Sequence, residues 1–230
     1  MNNFNINPTD LSLIFWDKII SNSIHKIPEN FYKNLINLEN LKINADYKTG
    51  SIALSSALQL FSIIDYFRPK IIFEIGTFIG RSTLAMAYGC DQYVDEFNSK
   101  IYTCDFSNEI VLPKICKTDI IQFKKTSSTS ALDKINDKID LFHIDGRIQK
   151  NDFEIIKKLV HAETIFIFDD FEGIEKGVAN LFNLLVEKVI DRNNYFFVYP
   201  MQETTLSKFS LQRSTTACII PISKLKLSHQ

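Results

Sequence analysis

The 230-residue sequence lacks several features that would indicate particular classes of protein. No apolar run approaches the ~18 residues that a membrane span requires, and the first residues, MNNFNINPTD, lack the cationic start of a signal peptide. The formal net charge of −1 provides no electrostatic attraction to nucleic acid or to an anionic membrane surface. We therefore expect neither a nucleic-acid partner nor a membrane partner.

The cysteines also lack a recognisable arrangement. The chain has four, none of them in a C-x-x-C pair: Cys90, Cys104, Cys116 and Cys218. Such scatter argues against a disulfide framework and against a zinc site. It favours a reducing compartment, so we expect a cytoplasmic protein.

The hydrophobic pattern divides the chain into two parts. Residues 1–49 have helical periodicity and are predicted to form an N-terminal extension, which would cap the cofactor or substrate site or make a dimer contact. In residues 50–230, short β-branched runs alternate with helical segments, as in a mostly parallel sheet covered on both faces. The last two runs, NYFFVYP and TACIIPI, have no helical segment between them and are expected to pair antiparallel. The sequence thus predicts a doubly wound α/β domain.

The stretch from Phe73 to Ala87, FEIGTFIGRSTLAMA, marks the turn after the first predicted strand. Ligands of such sheets bind beyond the carboxyl ends of the strands. Glycines allow close backbone approach, and the start of the next helix offers N–H groups to an anion. The spacing is E-x-G-x-x-x-G, without the third glycine of the dinucleotide fingerprint, which disfavours a nicotinamide dehydrogenase.

An amino-acid ligand such as S-adenosylmethionine would suit this turn. Its ammonium group would reach Glu74 or the Gly76 carbonyl, and its carboxylate would reach the helix start near Ser82. A tight turn in an unrelated α/β protein, with Glu74 solvated, is the alternative interpretation. Asp105, at the end of IYTCDFS, could accept hydrogen bonds from both ribose hydroxyls. Ser127 and Ser128 could meet the adenine edge, although capping of the next helix by Thr129 or Ser130 explains hydroxyl groups there equally well.

These motifs resemble those of the class I S-adenosylmethionine-dependent methyltransferases. FEIGTFIGRSTLAMA resembles the first motif of the catechol and caffeoyl-CoA O-methyltransferase-like branch. IDLFHIDG and TIFIFDDFEG resemble its fourth and fifth strands, and those of relatives that tailor sugars and antibiotics. The resemblance covers about residues 50 to 220 and implies a Rossmann-like methyltransferase fold, with a seven-stranded, mostly parallel sheet that ends in an antiparallel hairpin. It implies cofactor contacts at Glu74, Gly76, Thr77, Phe78, Gly80, Ser82, Asp105, Phe106, Ser127, Ser128 and Asp145.

Three acidic residues follow the fourth and fifth predicted strands: Asp145, Asp169 and Asp170. Two like charges ~4 Å apart repel by about 4 kcal/mol at an effective dielectric constant of ~20, so a converged cluster needs compensation. The resemblance places these residues at the metal-ligand positions of the family, the last of which is usually Asn, and so implies Mg²⁺ or a similar ion. Neutralisation by basic neighbours is the alternative, with Arg81, Arg147 and Lys150 as candidates. A third alternative is that the side chains splay into water.

The catalytic residues predicted on this basis are Asp145 and Lys150. A metal ion would orient the acceptor hydroxyl and lower its pKa, and a base would take its proton. The related enzymes carry Lys or His three residues after the first metal-binding Asp, where this chain has Ile148. Lys150 is the candidate substitute, although a solvated surface lysine explains it as well, and His143 is expected in the core.

The sequence therefore predicts an O-methyltransferase that acts on a hydroxyl of a small molecule with the help of a divalent metal ion. A metal-independent N- or O-methyltransferase of a larger acceptor remains an alternative, as does a member of the fold that binds the cofactor without turnover. A homodimer through the N-terminal helix is a further expectation.

Overall fold

The computed structural model describes residues 7–44, 50–93, 98–106, 120–172 and 176–225. The helices are α1 (Pro8–Ser23), α2 (Phe31–Asn37), α3 (Leu54–Phe67), α4 (Arg81–Asp91), α5 (Ser128–Leu132), α6 (Asp152–Leu159), α7 (Lys176–Val186) and α8 (Glu203–Lys208). The strands are β1 (Ile71–Ile75), β2 (Lys100–Asp105), β3 (Ile121–Lys125), β4 (Leu141–Ile144), β5 (Ile165–Phe168), β6 (Tyr195–Val198) and β7 (Ala217–Pro221). A 3₁₀ segment, Leu38–Asn44, follows α2.

The strands form one seven-stranded sheet in the order β3-β2-β1-β4-β5-β7-β6. The first five strands are parallel, and β7 pairs antiparallel with both β5 and β6. The predicted doubly wound sheet with an antiparallel C-terminal hairpin is confirmed. The prediction that no helix separates the last two strands is wrong, because the short helix α8 lies in that connection.

Side chains of one strand alternate between two cores. Ile72 of β1 belongs to the core formed with α3 and α4, whereas Phe73 and Ile75 belong to the core on the other face, with Phe153 of α6. This alternation follows from the two-residue period of a strand. It places Glu74 on the same face as Ile72, beneath α3 and α4.

The N-terminal helices share the first of these cores. Trp16 of α1 is buried in it, and its indole N–H donates to the carbonyl oxygen of Tyr199, just after β6, at 2.7 Å. Lys26 pairs with the buried Asp65 of α3 at 2.8 Å. The described part of the N-terminal extension is therefore packed on the sheet domain, and the division at residues 49 and 50 stays a prediction.

No helix in the described ranges is both long and apolar enough to cross a membrane. Cys90, Cys104 and Cys218 are buried free thiols, while Cys116 lies outside the described residues.

A close approach between α3 and α4 makes Gly89 sensitive to substitution. A Cβ at this position would lie 2.7 Å from Cβ of Ile64. Although alanine favours helices more than glycine does, we expect Gly89→Ala to lower the free energy of unfolding by about 1–3 kcal/mol through overpacking. Urea denaturation measures this change. Asn183→Ala, at an exposed position of α7, is the control, and equal stability of the two variants would contradict the prediction.

Candidate functional site

A cavity of about 260 Å³ opens at the carboxyl ends of the parallel strands, where β1 and β4 lie side by side. This is the position at which doubly wound sheets bind ligands. The lining comes from the ends of β1, β2, β4 and β5 and from the starts of α5 and α7, and it includes Ile75, Gly76, Phe78, Cys104, Asp105, Phe106, Ser128, Asp145, Gly146, Asp169, Asp170 and Lys176. Gly50 and Ser51, which precede α3, also reach it.

The turn between β1 and α4 contains three residues with positive φ values. Gly76, Phe78 and Gly80 have φ values of 96°, 47° and 80°. At Gly76 a Cβ would lie 2.9 Å from the backbone carbon of Asp145, at the end of β4. A glycine is therefore required here both by its φ value and by the close approach of the two chains. The helix α4 then begins without a side-chain cap.

Asp105 connects this turn to the end of β2. Its Oδ2 accepts a hydrogen bond from the backbone N–H of Phe78 at 2.7 Å, and the residue lines the cavity next to the exposed Phe106. The predicted arrangement, in which the glycine turn and an acidic residue one strand away face the same space, is present.

Glu74 does not line the cavity. It is 0% exposed, and the sheet register places it beside Thr103 on one side and His143 on the other. Its carboxylate accepts hydrogen bonds from Thr103 Oγ1 at 2.6 Å and from Thr83 Oγ1, and it lies 3.0 Å from Nδ1 of His143. The expectation that Glu74 binds an ammonium group directly is not supported by this placement, because the carboxylate is occupied inside the core.

Three further residues predicted at the turn do not line the cavity either. Thr77 is buried and hydrogen-bonds Thr103 through its hydroxyl at 2.5 Å. The N–H of Gly80 donates to Thr77 at 2.8 Å, and Ser82 is buried in the first turn of α4. These residues shape the turn around the cavity.

The two serines assigned to the adenine edge lie at the start of α5. Ser127 caps the helix by accepting from the N–H of Ser130 at 3.2 Å, so the cap is Ser127, whereas the capping alternative had named Thr129 or Ser130. Ser128 reaches the cavity, but its hydroxyl donates to the buried Asp152 of α6 at 2.6 Å. The side chains therefore fix the start of α5 against α6.

Lys176, the first residue of α7, is the site residue that the sequence did not reveal. Its ammonium nitrogen lies 2.7 Å from Oδ1 of Asp145, 2.7 Å from the carbonyl oxygen of Asp145 and 2.9 Å from Oδ2 of Asp170. Of the three acidic residues, Asp169 is held differently, by the hydroxyls of Thr215 and Thr216 at 3.2 and 2.8 Å. All three acids line the cavity, as predicted, and a basic neighbour pairs with two of them.

The charges in this cluster shift one another's pKa values. Burial and repulsion from Asp169 raise the pKa of Asp145 to about 7, although Lys176 and His143 act in the opposite direction. Burial alone would lower the pKa of Lys176, but attraction to Asp145 and hydrogen bonds to Asp145 and Asp170 hold it above its ordinary value. Lys176 therefore remains a cation at neutral pH.

A divalent ion does not fit this arrangement of the acids. The described part of the chain contains no group of three His, Cys, Asp or Glu side chains placed to hold a metal ion. Asp145 and Asp170 already bind the ammonium group of Lys176. The metal-ligand prediction for Asp145, Asp169 and Asp170 is therefore not supported by the geometry.

Of the three basic residues proposed from the sequence, Arg147 lines the cavity, whereas Arg81 and Lys150 do not. Lys150 is exposed in the turn before α6 and does not line the cavity, so its predicted role as a base is not supported. Arg81 is buried and pairs with Glu39, with a further bond to the carbonyl of Ile52 at 2.8 Å. Arg147 is exposed at the cavity edge.

His143 is a core residue, as expected. It is fully buried on β4. Burial alone would lower its pKa, but the hydrogen bond to Glu74 and the charge of Glu74 raise it above the ordinary value. The residue belongs to the polar network under the glycine turn and does not reach the cavity.

The central part of the chain is similar in sequence to a known protein family. Residues 73–171, from β1 to the end of β5, match the family model described as a methyltransferase domain. The matched segment is 99 of the 230 residues, or about 43% of the chain. An O-methyltransferase of Aspergillus hancockii is 31% identical over 140 residues, which are 55% of this chain and 54% of that protein. The chain thus matches about half the length of this curated relative.

Solved structures share the fold of most of this chain. The O-methyltransferase from Bacillus cereus, in complex with S-adenosylhomocysteine, has a TM-score of 0.59 at 14% identity, over 92% of this chain and 99% of that one. An O-methyltransferase of Streptomyces achromogenes involved in tomaymycin synthesis, in complex with S-adenosylmethionine, has a TM-score of 0.57 at 12% identity, over 85% of this chain and 90% of that one. The resemblance to class I methyltransferases is confirmed for the domain and the fold.

A side chain in this turn region has two costs, a strained backbone conformation and steric overlap. Substitutions at Gly76 and Gly50 can measure the two separately. Both have positive φ values, 96° and 87°, but only Gly76 has backbone atoms within 4 Å of an added Cβ. We expect Gly50→Ala to cost about 1–2 kcal/mol of stability for its backbone conformation, and Gly76→Ala to cost a further ~1–3 kcal/mol for the overlap with Asp145. Urea denaturation of both variants measures the difference. Equal losses would show that the contact between the turn and β4 has no energetic role.

The raised pKa of Asp145 predicts a pH dependence. Because the folded state binds this proton more tightly than the unfolded chain, the contribution of Asp145 is most favourable below its unfolded pKa of about 4. It is lost as the pH rises to about 7. We expect the free energy of unfolding of wild type to fall, relative to that of Asp145→Asn, across this interval. Urea denaturation at a series of pH values measures it, with the exposed Asp133→Asn as control; parallel profiles of wild type and Asp145→Asn would refute the prediction.

Proposed function

We propose that this chain is an S-adenosylmethionine-dependent O-methyltransferase that transfers a methyl group to a hydroxyl of a small molecule. The observation that carries the proposal is the joint placement of the glycine turn and Asp105 at one cavity, inside a matched methyltransferase domain. Relatives add support, since the curated match is named an O-methyltransferase and two proteins of this fold are in complex with S-adenosylmethionine or its product.

The turn would bind the amino-acid end of the cofactor through backbone groups. Gly76 and Phe78 line the cavity, and the carbonyl of Gly76 would accept a hydrogen bond from the ammonium group. In this proposal Glu74 acts indirectly, because its bonds to Thr83 of α4 and Thr103 of β2 hold the two elements that flank the turn.

Asp105 would accept hydrogen bonds from the ribose hydroxyls, which are donors, because a carboxylate only accepts. Its bond from the N–H of Phe78 uses Oδ2 and fixes the orientation of the carboxylate towards the cavity. Ser128 and Phe106 border the same space, where the adenine would lie.

S-adenosylmethionine would supply a methyl group on a positively charged sulfur, which departs with the electron pair of the broken carbon–sulfur bond. The acceptor oxygen forms the new bond in line with it and loses its proton, so the contribution of the protein is chiefly to position the two reactants. A carboxyl group whose pKa is raised to about 7 is suited to accept that proton. Asp145 is such a group and lines the cavity.

One observation favours a second candidate function, binding of the cofactor without turnover. Position 148, where related enzymes carry a basic residue, is a buried isoleucine, and Lys150 does not reach the cavity. Binding of S-adenosylhomocysteine without turnover of catechol, flavonoid and sugar acceptors would support this second function. A metal-independent methyltransferase of a larger acceptor would turn over none of those acceptors but would still consume S-adenosylmethionine with its own substrate.

We further propose a cytoplasmic location and a homodimer. The three buried free thiols support the first. The partly exposed isoleucines of the N-terminal region, Ile14, Ile24 and Ile36, support a contact there. Sedimentation of the full chain tests the proposed homodimer, and a monomer at all concentrations would contradict it.

Calorimetry with S-adenosylhomocysteine tests the cofactor assignment. We expect wild type to bind, and Asp105→Asn to bind roughly 10- to 100-fold more weakly, since a hydrogen bond to a charged group contributes about 1.5–3 kcal/mol. The asparagine retains an acceptor for the Phe78 N–H but cannot accept at both oxygens. Asp133→Asn, an exposed change at the end of α5, is the matched control. Absence of binding by wild type, or unchanged affinity of Asp105→Asn, would contradict the proposal.

A further inference from the structure

We propose that the ammonium group of Lys176 takes the place of a divalent cation in this site, so that the protein holds its cluster of acids together without a metal ion. This inference deepens the proposed function and rests on it only for the identity of the bound cofactor. Its structural basis is the set of contacts around Lys176, which join the end of β4 to the end of β5.

The contacts use the whole hydrogen-bonding capacity of the ammonium group. A lysine offers three N–H donors, and three acceptors lie within 2.9 Å: the carbonyl oxygen and Oδ1 of Asp145, and Oδ2 of Asp170. The side chain is 27% exposed, unlike a freely solvated surface lysine. Such a group has one defined position between the two carboxylates.

The position of Lys176 is fixed by the residues that follow it on α7. A Cβ at Gly177 would lie 2.4 Å from the carbonyl oxygen of Asp169, so α7 starts directly against the end of β5. One turn further on, Asn180 donates to the carbonyl of Gly146 at 2.7 Å and accepts from the N–H of Ile148 at 3.1 Å. These contacts hold α7 against the ends of both strands, and the lysine is held with it.

A divalent ion would compete for the same oxygens. Mg²⁺ in proteins typically binds one or two carboxylates, and two of the three present here already bind Lys176. The third, Asp169, is 4% exposed and accepts from Thr215 and Thr216. Four carboxyl groups line the cavity, those of Asp105, Asp145, Asp169 and Asp170, against the two cations Lys176 and Arg147, and this excess of acids suits a cationic sulfonium ligand.

Removal of the ammonium group gives a test that does not depend on activity. We expect wild type, titrated with Mn²⁺ and followed by the electron paramagnetic resonance signal of the free ion, to show no saturable binding. Lys176→Ala removes the cation and leaves all three acids, so we expect it to bind Mn²⁺ at least tenfold more tightly than wild type. Lys208→Ala is the matched control, because Lys208 pairs with Asp17 away from the cavity, and it should behave as wild type.

A second substitution identifies the ligands of the gained site. The double variant Lys176→Ala with Asp170→Asn should lose the Mn²⁺ binding that Lys176→Ala gains. Because loss of a partner from a buried ion pair is destabilising, circular dichroism is used to verify folding. Lys176→Gln, which keeps a neutral donor, is the replacement if Lys176→Ala does not fold, with the same expected gain.

Two results would overturn the inference. One is saturable binding of Mn²⁺ by wild type that Asp170→Asn abolishes, which would make the acids an ordinary metal site. The other is failure of every folded Lys176 variant to bind Mn²⁺, which would show that the ammonium group does not occupy a cation position. Failure of the proposed function would appear separately, as absence of S-adenosylhomocysteine binding in calorimetry.

Discussion

The carboxylates at the ends of two adjacent parallel strands impose the main electrostatic constraint on this protein. The strand order places β4 beside β5, so Asp145 meets Asp169 and Asp170 whatever else the fold contains. Like charges at such distances must be compensated or protonated. Both responses are present, because Lys176 pairs with two of the acids and the pKa of Asp145 is raised.

A second constraint acts on the neighbouring strand. The turn after β1 approaches the end of β4 so closely that Gly76 has no room for a side chain. Beneath it, the carboxylate of Glu74 binds groups from β2 and α4 and lies beside His143 of β4. A polar network within the core therefore supports a turn whose backbone faces the cavity, and the shape of the ligand site depends on groups that the ligand would not touch.

Local sequence patterns were sufficient for the sheet and for part of the site. The β-branched runs and the glycine spacing predicted the strands, the turn at Gly76 and the facing position of Asp105. Two features of the site could not be predicted, for a common reason. The burial of Glu74 depends on the register of β1 with its neighbours, and the role of Lys176 depends on where α7 packs. Neither can be derived from residue spacing alone, although three uncompensated acids indicated that a cation was needed.

Shorter elements were also difficult to predict. Helix α8 has six residues, too few to produce a clear periodicity, and α5 has five. Hydroxyl groups before α5 could cap the helix or face a ligand, and the sequence does not distinguish these uses. In the structure Ser127 caps the helix, and Ser128 lines the cavity while its hydroxyl donates to Asp152, a buried acid from α6.

The contact at Gly177 limits how the site can diversify. Since a methyl group there would overlap the carbonyl oxygen of Asp169, any side chain at position 177 would force the first turn of α7 away from the end of β5. Gly50, on the rim of the same opening, has no atom within 4 Å of an added Cβ. Side chains can therefore be added to the rim with less steric cost at Gly50 than where α7 meets β5.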